Sequence, residues 1–371
     1  MTPNPQNPQH SQNPQNPQNP QNPHGGRHHR RFRPNRGGGG QGHGGGHGKG
    51  HGQGHGQGHG QGHGHGGGGS PRQDKPTFLK KSDAERIFQE KTPLTPFQWI
   101  QFEKGSKELS MRAVDLLAPV GKGQRGLIVS PPKVGKTTIL KQFCQAAAQA
   151  DAGLTVYCVL VDERPEEVTD FKRSVPAEVF ASSNDRPFTD HIRMCEEVYQ
   201  RAVSEAGAGK DVLIVLDSLT RLARAHNSAA TGSRTMTGGL DTRAMEWPRK
   251  FFGAARKLEE GGSLTILATI LVDTGSRMDE IIFQEFKGTG NMELVLSRPA
   301  ADLRLFPAVH VKNTGTRREE LLLPPPVLEG VYKLRRNLAN LSDLEATKSI
   351  IELLKKNATN ERLLATAQGS T

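Results

Sequence analysis

The 371-residue chain predicts an α/β domain whose mostly parallel sheet is covered by helices on both faces. Three observations predict it. From Arg112 onward, short apolar runs alternate with longer stretches of helical spacing, the pattern of strand–helix–strand units. The run Gly126-Leu127-Ile128-Val129 leads into a loop, Ser130-Pro131-Pro132-Lys133-Val134-Gly135-Lys136-Thr137, and helical spacing resumes at once in Thr138–Phe143. Two further apolar runs, 159–161 and 211–216, end in carboxylates.

The elements follow in order. Apolar, β-branched runs predict strands near 126–130, 154–161, 178–182, 211–216, 264–271 and 293–297. Between them, 3.6-residue periodicity predicts helices near 137–150, 165–173, 190–206, 242–259 and 279–286, and two more near 342–356 and 360–367 close the chain. Together they read as a RecA-like P-loop domain over residues 111–371 with a small helical C-terminal part. Residues 76–110 read as a linker with one short helix around Ser82–Gln89 and a proline-punctuated stretch, Thr92–Pro96.

Composition separates the first fifth from the rest. Residues 1–24 repeat Asn-Pro-Gln, and 25–69 are mainly Gly, His, Gln and Arg, so neither block has the apolar content to offset chain entropy. Residues 1–75 are therefore expected to form a disordered arm. The arm holds eight Lys and Arg against one Asp, a net +7 of the chain's +11, which points to an anionic polymer such as RNA. Eleven of the fourteen histidines precede residue 66. They suit transition-metal binding, but the plainer reading is a hydrated arm that gains charge near pH 6 and makes weak electrostatic contact with nucleic acid. The three cysteines, Cys144, Cys158 and Cys195, lack metal-ligand spacing and fit a cytoplasmic protein with core thiols. No apolar run reaches the length of a membrane span, so no membrane partner is expected.

The loop at 130–137 has the chemistry of a phosphate cradle. Its backbone N–H groups and the helix N-terminus behind it favour negative charge; Lys136 would reach the β and γ phosphates of ATP, and the Thr137 hydroxyl would hold Mg²⁺. Ser130 stands where such loops begin with Gly. Asp217, closing the run 211–216, suits the metal's coordination shell, although a buried strand ending in a capping Asp has the same pattern. At the end of 159–161, Asp162 or Glu163 offers a carboxylate to polarise an attacking water, or a cap for the helix opened by Pro165.

Longer motifs then make the pattern specific. Gly121-Lys122-Gly123-Gln124-Arg125-Gly126 precedes the loop, followed by Asp162-Glu163-Arg164-Pro165-Glu166-Glu167 and Asp217-Ser218-Leu219-Thr220-Arg221-Leu222. Thr237-Gly238-Gly239, Asp273-Thr274-Gly275-Ser276-Arg277 and Gly315-Thr316-Arg317-Arg318-Glu319-Glu320-Leu321 follow in sequence. Across residues 90–368 the chain closely resembles the bacterial transcription termination factor Rho family. That resemblance implies a homohexameric ring, an RNA-dependent ATPase and helicase, that threads single-stranded RNA and hydrolyses ATP at subunit interfaces. It casts Lys133 and Lys136 as phosphate contacts within a cradle including Val134, Gly135, Thr137 and Thr138. Thr137 and Asp217 become the Mg²⁺ pair, Glu163 the water activator, and Arg164 a γ-phosphate sensor. Phe306 resembles the adenine-stacking aromatic and Arg317 the arginine finger. RNA contacts fall to Arg234, Thr237, Gly238 and Gly239 in one loop and Arg277 in a second, each Arg standing where the family has Lys. RNA polymerase or an elongation complex becomes a further partner.

The family also carries an OB-fold RNA-binding barrel ahead of its motor. Residues 76–110 are too short for five strands, so the barrel is expected to be absent and the basic arm to capture RNA in its place. A solubilising or condensate-forming tail is the competing reading of the arm. A weakly active RNA scaffold is the competing reading of the whole chain. Kinship with rotary ATP synthase catalytic subunits, which share the sheet, is disfavoured by the two basic loops.

Overall fold

The computed structural model of the chain describes residues 83–230 and 238–368. The chain begins with α1 (Asp83–Glu90), β1 (Pro93–Leu94), β2 (Trp99–Ile100), α2 (Phe102–Gly105), α3 (Leu109–Leu117) and β3 (Val120–Gly121). The central alternation runs through β4 (Arg125–Ser130), α4 (Lys136–Ala150), β5 (Leu154–Glu163), α5 (Pro165–Ser174), β6 (Glu178–Ser183), α6 (Phe188–Gly207) and β7 (Asp211–Asp217). It continues with α7 (Leu219–Ala229), α8 (Glu246–Gly253), β8 (Arg256–Leu258), β9 (Ser263–Leu271), α9 (Arg277–Lys287) and β10 (Met292–Val295). Then come α10 (Arg298–Asp302), β11 (Gly315–Thr316), α11 (Pro325–Ala339), α12 (Asp343–Lys356) and α13 (Asn360–Gln368).

The main sheet has the order β11-β10-β4-β9-β7-β5-β6, parallel from β10 to β6, with β11 antiparallel at one edge. Alternation along β5 sorts its residues between two cores. Val156, Cys158 and Leu160 pack with Leu140 and Phe143 of α4, whereas Tyr157, Val159 and Val161 pack with Val198 and Tyr199 of α6 and Leu222 of α7. The C-terminal helices thicken the first layer, because Leu334, Leu338, Ile350, Leu354 and Leu363 join the same cluster as Phe143. All three cysteines are free and buried.

Two expectations from sequence are corrected. The helix read over 242–259 stops at Gly253, and residues 256–258 turn into a strand antiparallel to the start of β9. Glycine is a poor helix residue, and the backbone beyond it is taken up by the sheet. Residues 83–110, read as a linker, pack into the domain. Phe88 and Phe102 are fully buried, β1 pairs with β8, and Asp115 of α3 accepts the Phe102 and Glu103 amides at 3.1 and 2.8 Å, capping α2. Buried Arg112 ties this segment to α12 by bonding Glu103 at 3.1 Å and the Leu354 carbonyl at 2.8 Å. The other strands and helices expected from periodicity lie within a few residues of their predicted bounds, and α2, α3, α7, α10 and α11, with the short strands β1, β2, β3 and β11, are additional. The Gly/His arm lies outside the described residues.

Candidate active site

The C-terminal ends of the parallel strands converge on one site. Beyond Ser130 the backbone turns through Lys133 (φ 63°) and Gly135 (φ 90°), and α4 starts at Lys136. A β-carbon at Gly135 would strain that left-handed turn, which is why glycine sits there. Gly135 makes no side-chain cap bond to the helix, so the first-turn N–H groups of α4 remain open to an anion. Ser130 fits without the missing glycine: it is the last paired residue of β4, opposite Leu271, and its Oγ donates to the Pro131 carbonyl at 3.1 Å. Arg298 braces the outer side of the loop through the Pro132 carbonyl at 2.8 Å.

Lys136 lies between two buried carboxylates. Its Nζ pairs with Asp217 Oδ2 and lies 3.7 Å from Glu163 Oε2. Asp217 Oδ1 accepts the Thr269 hydroxyl of β9 at 2.9 Å, so four strands contribute to the frame: β4 the loop, β5 Glu163, β7 Asp217 and β9 Thr269. Arg221, in the first turn of α7, donates through one nitrogen to Glu163 Oε2 at 2.6 Å and to the Asp162 carbonyl at 2.5 Å. Burial raises the pKa of the Glu163 carboxyl above its ordinary value, and the Asp217 charge adds to the rise; Lys136 and Arg221 oppose it. A carboxylate poised in this way suits proton transfer from water. Arg221 carries no role in the sequence reading. Its only signal was its place four residues after Asp217, on the first turn of the helix that follows.

Phe306 faces the loop from the opposite side. It is half exposed and, with Val134, Gly135, Thr138, Ile139 and Pro307, lines a cleft of about 330 Å³. The cleft has an aromatic wall and a volume at the lower end of that of small-molecule sites. Lys133 is exposed at the loop tip, and among the described residues the Thr137 hydroxyl makes no hydrogen bond. Arg164 caps α5 by position, is exposed, and among the described residues pairs with Glu167 at 3.8 Å.

Arg317 is not brought to this cluster. It follows β11, whose Thr316 pairs with Met292 of β10, itself opposite Gly126 at the start of β4. Its amide donates to the Asn291 carbonyl at 2.9 Å. That is the other end of the sheet, about 13 Å of strand away from the loop.

Of the two basic loops, Arg234 and Thr237 lie outside the described residues. Gly238 and Gly239 have positive φ of 85° and 79°, and a β-carbon at Gly238 would fall 2.9 Å from Ile281 Cδ1 and 3.4 Å from the Arg277 carbonyl. The end of the first loop therefore rests on the second. Asn227 holds the Gly239 carbonyl at 3.0 Å, and buried Asp279 holds the second loop through Arg224 at 2.6 and 2.9 Å and Thr274 at 2.6 Å. Arg277 is left exposed.

A phosphate cradle with a buried Asp and Glu on neighbouring parallel strands defines a RecA-type nucleotide-binding domain. The family model for the ATP synthase alpha/beta nucleotide-binding domain matches residues 110–314. Within that class the chain belongs to the family of transcription termination factor Rho. It is 52% identical over 282 residues to Rho of Streptomyces coelicolor, covering 76% of this chain and 68% of that one. It is 49% identical over 316 residues to Rho of Micrococcus luteus, covering 82% of this chain but 46% of the relative. Rho of Borreliella burgdorferi is 49% identical over 293 residues, or 78% and 56% of the two chains. The chain thus spans about half to two thirds of the length of these relatives. Among solved structures, an ATPase from the type III secretion system of pathogenic bacteria superposes with a TM-score of 0.60 at 21% identity, over 74% of this chain and 86% of that one, a likeness of fold.

Proposed function

We propose that the chain is an RNA-dependent ATPase that acts as a ring of six copies, threads single-stranded RNA and drives transcription termination. The observation that carries this reading is the convergence of Lys136, Asp217, Glu163 and Arg221 at one end of the sheet while Arg317 sits at the other. In such an arrangement the chain holds most of a phosphoryl-transfer site and must receive its arginine from a second copy.

ATP would lay its phosphates along the open amides of α4, with Lys136 against the β and γ oxygens and Lys133 at the loop tip. Its base would enter the cleft beside Phe306. Asp217 and the unpartnered Thr137 hydroxyl fit a hard cation: one is a buried carboxylate and the other an oxygen one residue after Lys136. Bound there, Mg²⁺ would supply charge neutralisation at the phosphates. Glu163 accepts a proton from the attacking water, and Arg221 holds the carboxylate ionised for that task. Arg164, exposed beside Glu163 in the chain, is placed to sense what occupies the neighbouring interface. An arginine finger contributes about 10³–10⁵ in rate, so an isolated subunit is expected to turn over slowly.

Arg277 and the first loop (Arg234, Thr237, Gly238, Gly239) form the RNA contact. The backbone positions of Gly238 and Arg277 couple the two loops, and α7 links the first loop to Asp217 at its other end. Movement at the nucleotide thereby reaches the RNA. The basic arm, residues 1–75, would raise local RNA concentration through phosphate contacts without reading sequence. Among the described residues no helix is long and apolar enough to cross a membrane. The reading places the protein in the bacterial cytoplasm, acting on a transcribing polymerase.

The test is ATP hydrolysis by the full chain with and without pyrimidine-rich single-stranded RNA, beside a version lacking residues 1–75. Stimulation by RNA in both supports the motor with an auxiliary arm, and stimulation only in the full chain makes the arm the capture device. ATP binding without RNA-stimulated turnover overturns the motor in favour of an RNA scaffold.

A further inference from the structure

The end of β5 departs from a regular strand at the point where the chemistry sits. Its pairing with β6 runs in register from Tyr157–Glu178 to Val161–Ser182, and the next pair is Glu163–Ser183. Asp162 is the extra residue of a bulge, and its φ of 55° lies in the left-handed region that a non-glycine residue seldom adopts. The bulge has a consequence for aim. In an unbroken strand Glu163 would share the face of Val159 and Val161, toward α6 and α7. With Asp162 extruded, Glu163 takes the next pairing position, on the face of Cys158 and Leu160. That face is the one from which α4 presents Lys136.

Two groups hold the bulge. Arg221 binds the Asp162 carbonyl and Glu163 itself. The other is His191, in the first turn of α6 and 5% exposed. One ring nitrogen, Nδ1, is 2.7 Å from Ser182 Oγ, on the β6 residue paired with Val161 immediately before the slip. Nε2 lies 3.8 Å from Asp162 Oδ1. The imidazole therefore spans the bulge, one nitrogen on each strand. Burial holds the His191 pKa below its ordinary value, against the pull of Asp162 and Asp190, so at neutral pH the ring is uncharged. In that form Ser182 O–H donates to Nδ1 and Nε2–H faces the Asp162 carboxylate.

We infer that His191 is a positioning residue for hydrolysis: it pins the Asp162 bulge and so keeps Glu163 on the nucleotide face. The inference rests on the proposed ATPase reading for its effect on rate, and on geometry alone for its effect on Glu163. His191 touches neither Lys136 nor the loop, so it governs the chemical step and leaves nucleotide binding alone.

The experiment uses the full chain and three variants, His191→Ala, His191→Gln and His191→Asn. Gln places an amide where Nε2 stands, and Asn places one where Nδ1 stands. RNA-stimulated kcat, KM for ATP and the Kd of a fluorescent ATP analogue are measured beside a crystal structure of each folded variant. In His191→Ala, kcat falls about 10- to 100-fold, the loss expected for a mis-aimed catalytic group. Its nucleotide Kd stays within about twofold, because the phosphate loop is untouched. In its crystal structure Asp162 leaves the left-handed region and Glu163 moves away from Lys136. Gln recovers most of the rate and Asn little of it, because contact with Asp162 is what sets the bulge.

Unchanged kcat in the Ala variant overturns the inference, and so does a parallel loss of Kd and kcat. A crystal structure in which Glu163 remains at its wild-type place also overturns it, whether or not the protein hydrolyses ATP. If the wild type binds ATP without turnover, the ATPase reading fails, and the crystal structures still decide the role of His191.

Discussion

Replacing Arg221 with Met keeps much of the side-chain volume and removes the guanidinium from Glu163. The carboxylate is 3% exposed and Arg221 donates to it at 2.6 Å, a charge-assisted hydrogen bond worth about 1.5–3 kcal/mol; the bond to the Asp162 carbonyl is lost with it, and His191 is left to hold the bulge. Lys136, 3.7 Å away, remains, so Glu163 is weakened as an anion without being stripped of every partner. Burial and Asp217 already raise its pKa, and losing Arg221 raises it further. Glu163 must be ionised to accept a proton, so turnover rises with pH through that pKa, and the acid limb of the variant's profile moves to higher pH. At pH values below the limb, kcat drops about 10- to 100-fold, since 1.4 kcal/mol is about tenfold in rate, and it recovers at alkaline pH.

Stability moves the other way. A carboxyl whose folded pKa is raised contributes stability that is present below its unfolded pKa and lost as pH rises through the folded value. The variant should therefore melt progressively below wild type toward alkaline pH while its activity returns. Steady-state ATPase and thermal melts between pH 5.5 and 9.5 measure both. An acid limb that coincides with the wild type, or a uniform loss at every pH, would refute the electrostatic role.

Lys136→Ala should lower RNA-stimulated turnover by at least about 10²–10³-fold, the cost of one preorganised charge, while RNA retention on filters is unchanged. Arg317→Ala should be as inactive, yet mixing it with Lys136→Ala subunits should restore turnover at interfaces that receive an intact loop from one partner and an intact arginine from the other; no recovery in mixed rings would place Arg317 outside the reaction. Phe306→Ala should raise KM for ATP about tenfold with little change in kcat, because stacking on a base contributes about 1–3 kcal/mol and acts on binding. Phe88→Ala should destabilise the fold by about 3–5 kcal/mol in urea unfolding, since that ring is fully buried in a segment whose sequence reads as a linker.

What the sequence disclosed about the fold followed the range of the interactions involved. Strands β4, β5, β7 and β9 are apolar through their own length, so periodicity found them and their order of appearance predicted a parallel sheet. The failures came where distant residues decide the outcome. Residues 256–258 are strand because β9 offers them a partner, and nothing within Phe252–Leu258 requires it. Helix α11, which periodicity did not predict, has Pro325 and Pro326 in its first turn, where prolines are tolerated. Residues 83–110 read as part of a linker with one short helix because their anchors lie far along the chain: Asn360, whose amide binds Glu103 at 2.7 Å, and Glu260, which binds Thr92.

The site was legible to a different depth. The phosphate loop is local, and its residues announce their chemistry in order. Asp217 was legible too, because it closes an unbroken strand and alternation puts it on the face of Leu213 and Val215, where Lys136 arrives. Glu163 was not legible from the pattern alone. The same alternation along Val159-Leu160-Val161-Asp162-Glu163 assigns Asp162 to the nucleotide face, and the residue-level reading could not choose between the two carboxylates. The choice is made by a bulge whose supports, Arg221 and His191, lie 58 and 28 residues beyond Glu163 in the chain. Resemblance to the family singled out Glu163 without giving a reason for it. The reason is that one extruded residue, held from two helices, turns a carboxylate that would point toward α6 and α7 into one that faces Lys136.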